Sequence, residues 1–261
     1  MKTKGLWFMV FLLGVFFSAQ AIDHVKGDGK LMTKKIVIDD YNSIKIEDAV
    51  ELIYEQSDSV PYLEVTLDEN LHQYVNVNIN NRELTVGFKG ASVDHFTKYV
   101  VKTNSKWLKK VNASDVASVT INGAIKGDEL LLIASSNGIV QASGTITVSK
   151  LSLKSSSKGK ITLNDAQVGK LSCSVLTSGM IDLKAGKADE ASMEIATSGN
   201  IDAVNVAVQQ VNCKIAGAGT AVVHPTDNLK ATIVGKGTIR YKGPTAVQQK
   251  IIGKGTVEEI K

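Results

Sequence analysis

Four consecutive stretches decide the fold: LSLKSSSKGKITLNDAQVGK (residues 151–170), LSCSVLTSGMIDLKAGKADE (171–190), ASMEIATSGNIDAVNVAVQQ (191–210) and VNCKIAGAGTAVVHPTDNLK (211–230). Each carries glycine at its ninth place, Gly159, Gly179, Gly199 and Gly219, and no insertion breaks the register. Apolar residues alternate before the glycine and again after it, as in Leu171, Cys173 and Val175 followed by Ile181 and Leu183. Alternation with period two marks a strand with one buried face, and a small residue between two such runs marks a corner. A fixed period of about twenty residues holding two or three short strands is the pattern of a stacked solenoid. The spacing predicts an all-β chain wound as a parallel β-helix, with about 20 residues per coil.

Equivalent places of successive coils should then stack ~4.8 Å apart. The third places form an apolar inward column, Leu153, Cys173, Met193, Cys213 and Ile233, and the eleventh places another, Ile161, Ile181, Ile201 and Ala221. The second places, Ser152, Ser172, Ser192, Asn212 and Thr232, form a polar outward ladder, the candidate ligand-binding surface. A one-residue slip would turn every apolar column to water, so the agreement of several columns fixes the register more firmly than any single coil. In that register Met193 separates Cys173 from Cys213 by two strand spacings, ~9.6 Å, while a disulfide spans no more than about 7 Å. Two buried free thiols are expected.

Residues 1–21 read as a cleavable secretory signal peptide: Lys2 and Lys4, the apolar run Leu6 to Phe17, then Ser18-Ala19-Gln20-Ala21. The mature chain would begin at Ile22 and be exported to the periplasm, the cell surface or the medium. No cysteine follows the cleavage site to take a lipid anchor, and no later transmembrane segment is evident. Residues 22–110 read as an irregular β-rich part of the same domain and residues 111–261 as the regular coils. In the first part, strands are expected from Lys34 to Ile38, Ser43 to Tyr54, Pro61 to Leu67, Tyr74 to Ile79 and Glu83 to Phe88, with a tight turn at Asn80-Asn81 and one helical turn at Asp68-Glu69-Asn70-Leu71. Most large side chains lie here, Trp107 among them, and read as a thicker core or cap in preference to the alternative of a ligand platform. The formal charge of +4 falls to +2 once Lys2 and Lys4 are removed, too near neutrality to mark a nucleic-acid binder.

Chemistry has to be sought on the outside. Asp182 and Asp202 hold the same outward place in adjacent coils, within ~5 Å by strand spacing, a separation that retaining glycosidases use for their two carboxyl groups. That arrangement supports an alternative reading as a pectinase-like polysaccharide lyase or glycoside hydrolase, against the plainer one of a solvated pair offset by Lys184 and Lys160. The four histidines, His24, His72, His95 and His224, follow no metal-ligand spacing, and the Gly235-Lys236-Gly237 and Gly253-Lys254-Gly255 turns open no helix of a phosphate-binding loop. No metal and no cofactor is signalled. The sequence favours a non-catalytic rod that presents its Ser, Thr, Asn and Lys ladders to a glycan, a cell-envelope component or a surface protein. Oligomeric state leaves no signature.

The series Val25-Lys26-Gly27-Asp28-Gly29, Tyr41-Asn42-Ser43-Ile44, Val50-Glu51-Leu52, Asp68-Glu69-Asn70-Leu71 and Asn112-Ala113-Ser114-Asp115, with the recurring small-residue corners, resembles the putative auto-transporter adhesin family with the head GIN domain. The resemblance spans nearly the whole mature chain. It implies an exported right-handed β-helix of a kind frequent in Bacteroidetes, and it brings no established catalytic residues. The middle corners, Ser157-Lys158-Gly159, Thr177-Ser178-Gly179 and Thr197-Ser198-Gly199, depart from the Ser-Gly-Ala corners common in that family.

Overall fold

The computed structural model describes residues 24–243 and 245–260; the predicted signal peptide lies outside them. The chain is a parallel β-solenoid of about 8 turns with an irregular N-terminal part. Through the regular coils the register is the one that the columns predict: Leu151, Leu171, Ala191 and Val211 stand side by side, as do Leu153, Cys173, Met193 and Cys213. Ile161, Ile181 and Ile201 are wholly buried, and truncating any of them to alanine would cost about 2–5 kcal/mol. Both cysteines are buried and free, with Met193 between them, and burial pushes each thiol up to about 12.

The ninth-place glycines stand at the corners for a steric reason. Gly199 has φ +118, and a Cβ there would sit 2.6 Å from the Gly179 carbonyl oxygen of the coil before. The same corner is tied lengthwise, because Asn200 N donates to Gly179 O at 3.1 Å and Thr220 N to Gly199 O at 3.0 Å. Side chains would wedge this ladder apart.

One register expectation fails. Asp202 lies beside Val222, twenty residues on, but Asn212 lies beside Lys230, Cys213 beside Ala231 and Ile215 beside Ile233, eighteen residues on. The coil therefore shortens by two residues between Val222 and Lys230, within the interval from Gly219 to Gly237, which are themselves eighteen residues apart, and the pairing is irregular there. Ile233 leaves the cysteine column, and Thr232 leaves the outward ladder to stand beside Lys214. Both inward and outward parity survive, since a shift of two preserves the face.

The N-terminal part stacks out of chain order. The row made of Ser43–Ile46 and Glu51–Gln56 pairs on one side with Lys110–Ala113 and Ser118–Asn122, and on the other with Glu83–Phe88 and Val100–Ser105. A corner at Asp48, φ 59, divides what the sequence pattern presents as one strand from Ser43 to Tyr54. After Gln56 the chain builds the outermost row and then returns beneath it. Antiparallel strands close that end: Tyr62–Asp68 against Val100–Ser105, Leu31–Val37 against Tyr62–Asp68, and Val75–Asn80 against Glu83–Phe88. The last pair turns through Asn81 and Arg82, one residue on from the expected Asn80-Asn81 because Asn80 still pairs with Glu83; both are at positive φ, as a two-residue hairpin requires. The expected helical turn is a 3-10 helix, Glu69–Tyr74.

Polar groups organise this end as much as apolar ones. Tyr41 and Tyr54 are buried, bonded to Thr103 Oγ1 at 2.7 Å and Ser105 Oγ at 3.0 Å; burial outweighs the bond and pushes the Tyr54 hydroxyl up to about 12. Asp68 is fully buried and accepts from Thr97 N at 2.7 Å, Thr97 Oγ1 at 2.8 Å and Gly29 N at 2.8 Å. Burial alone would raise its pKa, but these bonds prevail and hold it below the usual carboxylate range. Gly27 lies so close that a Cβ would meet the Asp68 carboxylate at 2.5–2.8 Å.

The other end is built differently. Ala246–Gly253 and Thr256–Ile260 pair with the preceding row, and no described strand covers their far edges. Here two inward places turn polar: Gln249 stands beside Ala231 and Glu259 beside Tyr241.

Candidate functional site

The second-place ladder lies on one sheet of the solenoid and runs Lys110, Leu131, Ser152, Ser172, Ser192, Asn212, Lys230 and Gln248. The structure thus brings together Ser152, Ser172, Ser192 and Asn212, as the repeat predicts, and replaces Thr232 by Lys230. Because successive members come from neighbouring strands, their spacing is set by backbone hydrogen bonds rather than by side-chain packing, which makes the array rigid.

Clefts occupy the two ends of this ladder. The larger, about 1020 Å³, contains Ser152, Leu131 and Lys110 in its wall together with Trp107, Lys109 and Lys154. The smaller, about 500 Å³, contains Ser192, Asn212, Lys230 and Gln248; there Asn212 Oδ1 is buried without a hydrogen-bond partner. A third cleft, about 600 Å³, lies around Lys150, Lys170, Asp189 and Glu190, with Lys170 Nζ 3.3 Å from Glu190.

Trp107 departs from the aromatic core expected of this part of the chain. Tyr41, Tyr54 and Tyr99 are buried, whereas Trp107 is 47% exposed. It stands on a short connection pinned at both ends: Ser105 Oγ donates to Trp107 O at 3.1 Å, and Lys109 N donates to Asn42 O at 2.7 Å. The cue was present in Lys106-Trp107-Leu108-Lys109-Lys110, where lysines bracket a tryptophan in a segment with no strand periodicity.

Asp182 and Asp202 are register partners on a different sheet. Lys184 Nζ lies 2.6 Å from Asp182 Oδ2, and that hydrogen bond and charge, with a smaller pull from Asp202, raise the lysine pKa. Asp202 Oδ1 accepts from Val204 N at 3.2 Å. Lys160 makes no ion pair with either, among the described residues, and neither aspartate lines the three clefts above. Among the described residues, no group of three or more His, Cys, Asp or Glu is placed to hold a metal ion, and no helix is long and apolar enough to cross a membrane.

A rigid parallel β-helix with a polar ladder between two open clefts defines the class: a solenoid that offers a repeating surface. The chain belongs to the putative auto-transporter adhesin family with the head GIN domain, whose model matches residues 40–244. A solved putative adhesin from Parabacteroides merdae is 61% identical, with a TM-score of 0.90 over 92% of this chain and 100% of that one. A putative adhesin from Parabacteroides distasonis is 52% identical, TM-score 0.90, over 91% and 100%. A protein of the same organism described as a putative lipid binding protein is 34% identical, TM-score 0.86, over 92% and 100%. No curated protein matches the chain.

Proposed function

We propose that this chain is an exported, non-catalytic adhesion module that engages a component of another surface through its ladder face. The carrying observation is the stack of Ser152, Ser172, Ser192 and Asn212 on consecutive strands, which runs from the wall of one cleft into the wall of another. Hydroxyl and amide groups at a fixed strand spacing match an elongated partner that repeats its own donors and acceptors, as a glycan does. The adhesin relatives support surface engagement, and the ion pair between Lys184 and Asp182 supports a structural role for the acidic pair rather than catalysis. The test is an array of polysaccharides and cell-envelope fractions probed with the protein beginning at Ile22. Ser172→Lys with Ser192→Lys should weaken binding at least about tenfold, because each introduces a charge into the contact, with the melting temperature unchanged. Undiminished binding would move the site off this face. Release of reducing or unsaturated ends, lost in Asp182→Asn and Asp202→Asn, would instead establish the hydrolase or lyase alternative.

A further inference from the structure

The cleft at the Trp107 end carries a more specific chemistry than the ladder, and it deepens the adhesion reading on which it rests. Its wall contains five cations, but three are already engaged: Arg82 with Asp40 at 2.8 Å, Lys110 with Glu83 at 3.0 Å, and Lys150 with Glu129 at 4.0 Å. Lys109 and Lys154 are exposed, line the same cleft, and have no carboxylate within ion-pair distance among the described residues. One wall carboxylate, Asp128, is likewise exposed and unengaged among the described residues. The apolar element is the half-exposed Trp107 ring, with Leu131 at an outward ladder place beside Lys110.

We infer that this cleft is a binding site for an acidic polysaccharide, with the Trp107 ring as a stacking platform, Lys109 and Lys154 as donors to its carboxylate or sulfate groups, and Asp128 as acceptor of a sugar hydroxyl. Each group excludes a competitor. A neutral glycan leaves two lysines unmatched across the cleft. An anionic bilayer would bring its dense negative surface against Asp128 and Glu129, and a single indole gives too little apolar area to insert. An isolated phosphate would not use the ring. A saccharide chain bearing acid groups uses all of them, and the cleft opens onto the Ser152 to Asn212 ladder, so a polymer can leave the site along that face.

Trp107 is the only tryptophan after residue 21, so indole fluorescence of the protein beginning at Ile22 reports this site alone. The experiment titrates that protein with polygalacturonate, its methyl-esterified form, neutral dextran and phosphatidylglycerol vesicles, with calorimetry in parallel for variants. Polygalacturonate should shift the indole emission and bind, more weakly as salt rises because the lysines are exposed, while the ester and dextran bind at least about tenfold more weakly. Lys109→Gln with Lys154→Gln, and separately Trp107→Ala, should each lower polygalacturonate affinity about tenfold, and Lys160→Gln with Lys236→Gln on other surfaces should leave it unchanged. These are exposed side chains, and an unchanged melting temperature checks the fold. Equal binding of acidic and neutral polymers, or vesicle binding with no polysaccharide binding, overturns the inference; glycan binding lost only in the Ser172 and Ser192 variants overturns it while leaving the adhesion reading intact.

Discussion

The two ends of this solenoid solve one problem by opposite means. A stack of parallel strands ends in rows of unpaired backbone groups that invite another chain. At the N-terminal end the chain covers them with itself: the outermost row, 83–105, is flanked by the antiparallel strands Tyr62–Asp68 and Val75–Asn80, and the Gly27-Asp28-Gly29 loop is locked down by Asp68. At the C-terminal end, within the described residues, no strand is added. Instead Gln249 and Glu259 stand at places that are apolar one row earlier in the Ala231 column and largely so in the Tyr241 column, so a further row stacking there would bury a carboxylate. Covering an edge requires many residues and yields stability; poisoning it requires two and yields only specificity.

The sharpest way to break this comparison is at Asp68. Asp68→Ala leaves Gly29 N, Thr97 N and Thr97 Oγ1 without their acceptor, and should cost about 3 kcal/mol in chemical denaturation. The pH dependence follows from the lowered pKa. The folded state holds the carboxylate below its ordinary 3.8, so the contribution is complete above that value and disappears as pH falls through the folded-state value. The gap between wild type and Asp68→Asn should accordingly narrow on acidification below about pH 4; a constant gap would show that the bonds are not charge-assisted.

Tyr54→Phe is the next test. It removes a hydroxyl bonded to Ser105 Oγ and O inside the aromatic end and should cost about 1–2 kcal/mol by thermal melting, an effect that the aliphatic coils cannot reproduce because their columns carry no comparable buried network. The smallest stability change is expected at the far end. Gln249→Leu with Glu259→Val should alter the melting free energy by no more than about 0.5 kcal/mol, yet sedimentation should reveal association that grows with protein concentration. A double variant that remains as dispersed as wild type would mean that side-chain polarity is not what closes this end.

How much of this was legible in the sequence follows the same division. Where each coil repeats its neighbour, from Leu151 to Cys213, local alternation and stacking order coincide, so columns, corners and the unpaired cysteines could be read directly. The columns fail at Thr232 and Ile233 because they carry the twenty-residue period past Gly219, whereas Gly237 follows Gly219 by eighteen residues and the two missing residues are lost between Val222 and Asn228. In the N-terminal part His24–Lys26, Ser92–His95 and Val100–Ser105 left no mark and the hairpin turn lies one residue on from Asn80-Asn81, but the other strands and the 3-10 segment were visible in local pattern. Their partners were not, because pairing Glu51 with both Val100 and Ser118 is a non-local choice with no periodic trace. The site divides likewise: Ser152, Ser172, Ser192 and Asn212 follow from the repeat, whereas the half-exposure of Trp107 depends on how its connection is pinned to Asn42.

The out-of-order row also has a consequence in time. Synthesis delivers the 43–56 segment first, but both of its neighbours, 83–105 and 110–122, come later. Ile44, Ile46, Leu52 and Tyr54, all buried in the finished protein, have no row on either side until residues 83–105 follow, and only one until residues 110–122 follow. The regular coils, by contrast, can add each turn to the one before it in chain order. The row nearest the beginning of the chain is thus among the last of its unit to be enclosed, its second neighbour being complete only at residue 122.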